Sequence, residues 1–171
     1  MRLKVLPILI VFFLLSIFVS PANAKTNPYW KKQCDAGVIT WSVEGGRVKT
    51  VKRVMAWVDE QMPNYTFQQV PPYYDANIEI QMNAPQPKRH PRWLGVTYLW
   101  YGNPQIDKAL VKIFIKKDKR AVYLVTLHEV FHAIGIPHYE KKVSLMNAYG
   151  LYDVWPIDYK LIKAQDSLCN L

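Results

Sequence analysis

The sequence predicts an α/β sandwich of the α+β kind, built on one twisted, mixed β-sheet. Two long helices are expected before residue 146 and one C-terminal helix after it, because the predicted elements run strand, helix, several strands, buried helix, loop, helix. Of the 171 residues, 50% are hydrophobic and 20% charged, which excludes a disordered chain. Two cysteines are too few for a disulfide-dense miniature protein. We predict one compact domain over residues 25–171.

Residues 1–24 are typical of a secretory signal peptide. Arg2 and Lys4 precede an uncharged apolar run over Val5–Val19, and Ala22 and Ala24 form a small-residue cleavage site. An uncleaved anchor is the competing interpretation, but a membrane span needs roughly 20 apolar residues. We expect cleavage after Ala24, export, and no stable membrane insertion of the product.

The first half of the remaining chain predicts a strand, a helix and a strand. Val38–Val43 is rich in β-branched residues and is followed by two glycines. Arg47–Met62 has apolar residues at helical spacing and ends before Pro63. Thr66–Val70 is a short predicted strand.

Three further strands are predicted before the next helix. Ala76–Met82 alternates apolar and polar residues, whereas Asn83–Trp93 contains three prolines and is expected to be a loop. Gly95–Tyr101 and Ala109–Ile115 are β-branched or aromatic, hence strands, and Asn103-Pro104 separates them.

The second long helix is expected to be central. Asp118 is a suitable N-cap, and the apolar residues within Ala121–Leu127 surround the helix almost completely. The helix is predicted to continue to Gly135. A last amphipathic helix is predicted over Pro156–Leu168.

Residues 128–138 read HEVFHAIGIPH and carry the chemistry that we infer. His128 and His132 are four residues apart, so on a helix both imidazoles can reach one metal ion. Glu129 lies beside them, where it suits a general base for a metal-bound water. Gly135 can end the helix in the left-handed conformation, which returns His138 as a third ligand.

Histidines on a buried helix are often only core residues, and this is the competing interpretation. Three of the four histidines of the chain fall within this one window, which argues against it. Three neutral imidazoles leave one coordination position open, and this is typical of a catalytic zinc site.

The pattern H-E-x-x-H-x-x-G-x-x-H is similar to the metzincin zinc proteases, and the surroundings most resemble the matrixins. The resemblance spans essentially all of residues 25–171. It implies His128, His132 and His138 as ligands of one catalytic zinc ion and Glu129 as the general base. It also implies Met146 as the methionine below the metal, in the Met-turn.

The resemblance implies a peptide-binding strand as well. Gly95–Tyr101 matches the strand that pairs antiparallel with an extended substrate, through Gly95, Val96, Thr97, Tyr98 and Leu99. Leu124 matches a position that lines the pocket after the scissile bond, and residues 147–156 are expected to form its outer wall.

Three departures from the family qualify the resemblance. No propeptide with a cysteine switch is recognisable. The loops that hold structural metals in matrixins contain only His90 and Asp107, so we predict no second metal site. Tyr149 follows Met146 by three residues rather than two, so packing is a more natural role for it than oxyanion stabilisation.

Cys34 and Cys169 lie near the two ends of the chain. In an oxidising compartment the simplest interpretation is one disulfide between them. The alternative is that Cys34 supplies a thiolate to the metal as a latency device.

Together these features predict an exported, monomeric zinc endopeptidase in which Glu129 is the general base for a zinc-activated water. Removing residues 1–24 lowers the formal charge from +9 to +7, which favours acidic partners, but export argues against a nucleic-acid partner. Two alternatives stay open. The target could be the chain itself or one cognate protein, or the chain could be a non-catalytic, zinc-stabilised basic surface module.

Overall fold

The computed structural model describes residues 29–30, 33–34, 37–102, 105–116, 118–139, 144–147 and 159–170. The predicted signal segment and Tyr149 lie outside these ranges. Five strands are present: β1 (Val38–Glu44), β2 (Thr66–Gln69), β3 (Ile78–Met82), β4 (Gly95–Gly102) and β5 (Gln105–Ile113). Three helices follow or separate them: α1 (Val48–Gln61), α2 (Lys119–Ala133) and α3 (Tyr159–Asp166), with a 3₁₀ turn over Ser167–Asn170.

The strands form one mixed sheet in the order β2-β1-β3-β5-β4. All neighbours are parallel except β4, which runs antiparallel to β5 and lies at one edge of the sheet. Helix α1 packs against β1 and β2, whereas α2 packs against β4, β5 and α1. The predicted fold class is therefore confirmed, with two helices before residue 146 and one after it.

The core fills the layer between the sheet and the two long helices. Alternate residues of β3 and β5 are buried there. So are the apolar positions that the helical spacing predicted in α1 and at its C-cap: Val51, Val54, Met55, Val58 and Met62. Helix α2 is buried on most of its circumference, as predicted, because the sheet and α1 both cover it. This burial packs the helix that carries His128 and His132 closely against the sheet.

The predicted boundaries are wrong by two or more residues in β3 and β5. Strand β3 begins at Ile78 rather than Ala76, where its pairing with β1 begins. Strand β5 begins at Gln105 rather than Ala109, since Gly102 pairs with Gln105 and the antiparallel ladder continues from the hairpin. The sequence pattern does not predict this extension, because the charged residues Asp107 and Lys108 precede the apolar run of the strand. The strand also stops at Ile113, where the pairing with β3 and β4 ends.

The two cysteines form a disulfide, with Cα atoms 5.2 Å apart. The prediction that Cys34 pairs with Cys169 is thus confirmed, and the alternative of a thiolate that reaches the metal site is excluded in this state. The bond joins the segment before β1 to the turn after α3. Within the described ranges, no helix has the length and apolar character needed to cross a membrane.

Candidate metal centre

Helix α2 presents two histidines on one face. Residues four apart on a helix lie one turn apart on the same side, so His128 and His132 project in the same direction. Their rings meet edge to face, with centroids 4.7 Å apart. The helix therefore places two imidazoles together before any long-range contact is added.

A Schellman turn ends α2 and reverses the chain. Gly135 has φ of 94°, the left-handed conformation that the sequence predicted for it. Its N–H donates to the His132 carbonyl at 2.9 Å, and the Ile136 N–H donates to the Phe131 carbonyl at 2.9 Å. Ile136 and Phe131 are both buried at this turn, which fixes the direction in which the chain leaves the helix.

His138 returns to the other two histidines after this turn. Its Nε2 lies 3.1 Å from Nε2 of His132, and its ring centroid is 5.3 Å from that of His128. One nitrogen from each of the three rings lies within 4.8 Å of the others. This is the one such group of metal-ligating side chains in the part of the chain that the structure describes.

Backbone carbonyls set the tautomers of the two helical histidines. Nδ1 of His128 donates to the Leu145 carbonyl at 2.6 Å, and Nδ1 of His132 donates to the Ile136 carbonyl at 2.8 Å. A carbonyl can only accept, so each Nδ1 carries the proton and each Nε2 presents a lone pair. Lone pairs on Nε2 are what metal binding requires.

Burial keeps these rings neutral. Desolvation lowers the pKa of His132 to about 4, with the neighbouring His128 as a second cause. Burial also lowers the pKa of His128 and of His138. Neutral imidazoles with converging lone pairs fit a divalent metal ion, and two nitrogens on a tetrahedral zinc ion lie about 3.4 Å apart. The separation of 3.1 Å between His132 and His138 agrees with this fit.

Glu129 lies beside the three histidines and is 6% exposed. Burial raises its pKa to about 7, and the hydrogen bond from Thr97 partly opposes this shift. A carboxylate that titrates near neutral pH can both accept and release a proton. This property is the one that a general base and acid needs.

The segment over residues 144–147 lies against the metal centre. Met146 is buried, its N–H donates to Oγ of Ser144 at 3.1 Å, and its carbonyl accepts from the Tyr139 N–H at 2.8 Å. The preceding carbonyl, of Leu145, is the one that orients His128. The segment thus supports both His128 and the chain just after His138.

An open cleft of about 650 Å³ contains the three histidines and Glu129. Four of the five predicted residues of β4 line it, namely Gly95, Val96, Thr97 and Leu99. Tyr98 is exposed to solvent and is not among the residues that line the cleft. Leu124 packs at the border of the core, and Val125 lines the cleft instead. The role predicted for Leu124 stays a prediction.

The sequence did not predict several groups that orient the histidines or line the cleft. The carbonyls of Leu145 and Ile136 carry no signal in their own side chains. Arg92 and Trp93 line the cleft, whereas the sequence predicted only that they belong to the loop over Asn83–Trp93. Of the predicted outer wall, Asn147 lines the cleft, and the rest of residues 148–156 lies outside the described residues.

No family model matches the chain. A search of curated proteins gives no match either. Among solved structures, that of myroilysin is similar with a TM-score of 0.40 and 19% sequence identity, over 59% of this chain and 48% of that chain. This chain thus spans about half the length of that structure. Overlap of this extent decides neither fold nor activity, so the conclusions below rest on the residues of the site.

Proposed function

We propose that the chain is an exported zinc-dependent endopeptidase. The observation that carries this proposal is the convergence of three imidazole nitrogens within 4.8 Å, beside a buried carboxylate and in an open cleft. The resemblance of residues 128–138 to the metzincin pattern supports the same conclusion. The disulfide between Cys34 and Cys169 supports export, because such bonds persist in oxidising compartments.

His128, His132 and His138 would hold the zinc ion. When bound, zinc supplies Lewis acidity, which makes water a nucleophile at neutral pH and polarises a carbonyl. Glu129 accepts the proton that the attacking water loses and then donates it to the leaving amine. Its raised pKa, about 7, suits both steps because neither protonation state is strongly favoured near neutral pH.

Strand β4 would bind the substrate. It lies at the edge of the described sheet and pairs with β5 on one side. An extended peptide can add to the other side through backbone hydrogen bonds, with side-chain pockets supplying selectivity. The apolar lining from Val96, Leu99 and Val125 favours apolar side chains next to the scissile bond.

The decisive variant is Glu129→Ala. We expect it to retain zinc and the fold but to lose peptide hydrolysis by several orders of magnitude, because no other described carboxylate lies in the cleft. Glu60→Ala is the matched control, since Glu60 is exposed on α1 and does not line the cleft. Digestion of a peptide library with and without a chelator measures the outcome. Near-normal turnover of Glu129→Ala would refute the mechanism.

Metal retention tests the third ligand separately. His138→Ala should lose zinc on dialysis, because two imidazoles bind the ion less tightly than three. His90→Ala is the control, since His90 is exposed and stacks on Trp93 outside the three-histidine group. Unchanged zinc content in His138→Ala would show that His138 is not a ligand. Retained zinc in the unmodified chain without hydrolysis of any library peptide would favour a dedicated target or a non-catalytic zinc module.

A further inference from the structure

We propose that Gly95 and Thr97 of β4 form a seat for the carboxylate of Glu129, and that Thr97 is a positioning residue for it. This inference rests on the proposed function for its kinetic consequence. Its structural part, the coupling between strand and carboxylate, can be measured without activity.

The first observation concerns the space at Gly95. A Cβ atom built there would lie 2.7 Å from Cγ of Glu129, 2.9 Å from its Oε1 and 2.9 Å from Cγ1 of Val125. Gly95 is not among the glycines with positive φ, so its backbone does not require a glycine. The missing side chain is therefore explained by the space that the glutamate occupies.

The second observation concerns the Thr97 hydroxyl. Its Oγ1 lies 2.8 Å from Oε2 of Glu129 and 2.8 Å from the Glu129 backbone carbonyl oxygen. A hydroxyl has one hydrogen to donate, so the two acceptors share it. No other described side chain hydrogen-bonds to the Glu129 carboxylate, which makes Thr97 the group that selects its orientation.

Gly95 and Thr97 are two residues apart on one strand and so face the same side, towards α2. The same strand lines the cleft, and its other edge has no partner strand within the described sheet, so a peptide could pair with it there. One short segment therefore contacts the proton-accepting carboxylate and would also pair with the peptide. It would thereby fix the position of the carboxylate relative to the bound peptide. A carboxylate displaced by about 1 Å can cost on the order of 100-fold in rate.

The kinetic experiment compares Thr97→Val, which removes the hydroxyl at constant shape, with Thr97→Ser, which keeps it. We expect Thr97→Val to lower kcat about 10- to 100-fold with KM and zinc content unchanged, and Thr97→Ser to stay within about threefold of the unmodified chain. Thr126→Val is the matched control. It removes a buried hydroxyl that donates to the Val122 carbonyl of the same helix at 2.7 Å, away from the carboxylate. It should leave kcat unchanged.

The second measurement uses urea midpoints of the metal-free chain for Thr97→Val, Glu129→Ala and the double variant. If the hydroxyl binds the carboxylate, the two shifts are non-additive. Thr126→Val combined with Glu129→Ala should be additive. Additive shifts for Thr97→Val, or equal losses of kcat in Thr97→Val and Thr97→Ser, would overturn the seat. Non-additive shifts in a chain that hydrolyses no peptide would keep the seat and refute the proposed function.

Discussion

The two ends of helix α2 are capped in different ways. At the N-terminus, the exposed Asp118 accepts from the Arg120 N–H at 2.8 Å, two residues away in sequence. At the C-terminus, the Ala133 carbonyl accepts from the indole N–H of Trp30 at 3.0 Å, and the Ile134 carbonyl accepts from the Gln165 amide at 2.7 Å. The latter donors are 103 and 31 residues away.

Solvent explains the difference. Water can satisfy the free N–H groups at an exposed helix end, so one local cap suffices. A buried end has no water, and each free carbonyl there needs a donor from elsewhere in the chain. The donors come from both ends of the chain.

The disulfide links these two distant caps. Cys34 follows Trp30 within one turn, where its N–H donates to the Trp30 carbonyl at 3.0 Å, and Cys169 follows Gln165. Both caps act within two residues of Gly135, at the turn that leads to His138. The segments that contain Trp30 and Gln165 therefore hold the turn that places His138 beside the two helical histidines.

Among the residues that cap α2, replacement of Trp30 should lower the free energy of unfolding most. Trp30→Ala removes a fully buried aromatic and should cost about 3–5 kcal/mol in the free energy of unfolding, measured with urea on the metal-free chain. Trp30→Phe keeps most of the buried surface but loses the N–H, and should cost about 1–3 kcal/mol. The control is Trp100→Phe at an exposed site. If Trp30→Phe and Trp100→Phe lower the free energy of unfolding equally, the indole N–H of Trp30 does not stabilise this end of α2.

Replacement of Gln165 should have an intermediate effect. Gln165→Met keeps the length of the side chain but leaves the buried Ile134 carbonyl without its donor, at a cost of about 1–3 kcal/mol. Lys163→Met, at an exposed position of α3, should change stability by less than about 0.5 kcal/mol. The same urea titration measures both variants, and a neutral Gln165→Met would show that the buried end tolerates an unsatisfied carbonyl.

Replacement of Asp118 should have the smallest effect. Asp118→Ala removes the local cap and should cost about 1 kcal/mol, whereas Asp118→Asn should be close to neutral because asparagine also caps well. Thermal unfolding of the two variants checks the prediction. A loss for Asp118→Ala as large as that for Trp30→Ala would contradict the distinction between exposed and buried ends.

The sequence predicted the local parts of the fold and site well. Asp118 as N-cap, the left-handed Gly135 and the helical spacing of His128 and His132 each depend on a few neighbouring residues, and the structure shows all three arrangements. The start of β5 was mispredicted because pairing with β4, rather than residue preference, extends it to Gln105. Thr97 was expected to contact substrate, and its hydrogen bond to Glu129 carried no sequence signal.

What the sequence determined by itself was the set of chemical groups and their spacing along α2, since helix geometry follows from local backbone preferences. The tertiary structure alone decided which carbonyl orients His128, what occupies the space at Gly95, and which distant side chains cap the buried end of α2. These depend on contacts across 17 to 103 residues for Leu145 and Trp30. Only the packed core brings such residues together, because burial removes the water that would otherwise satisfy each polar group.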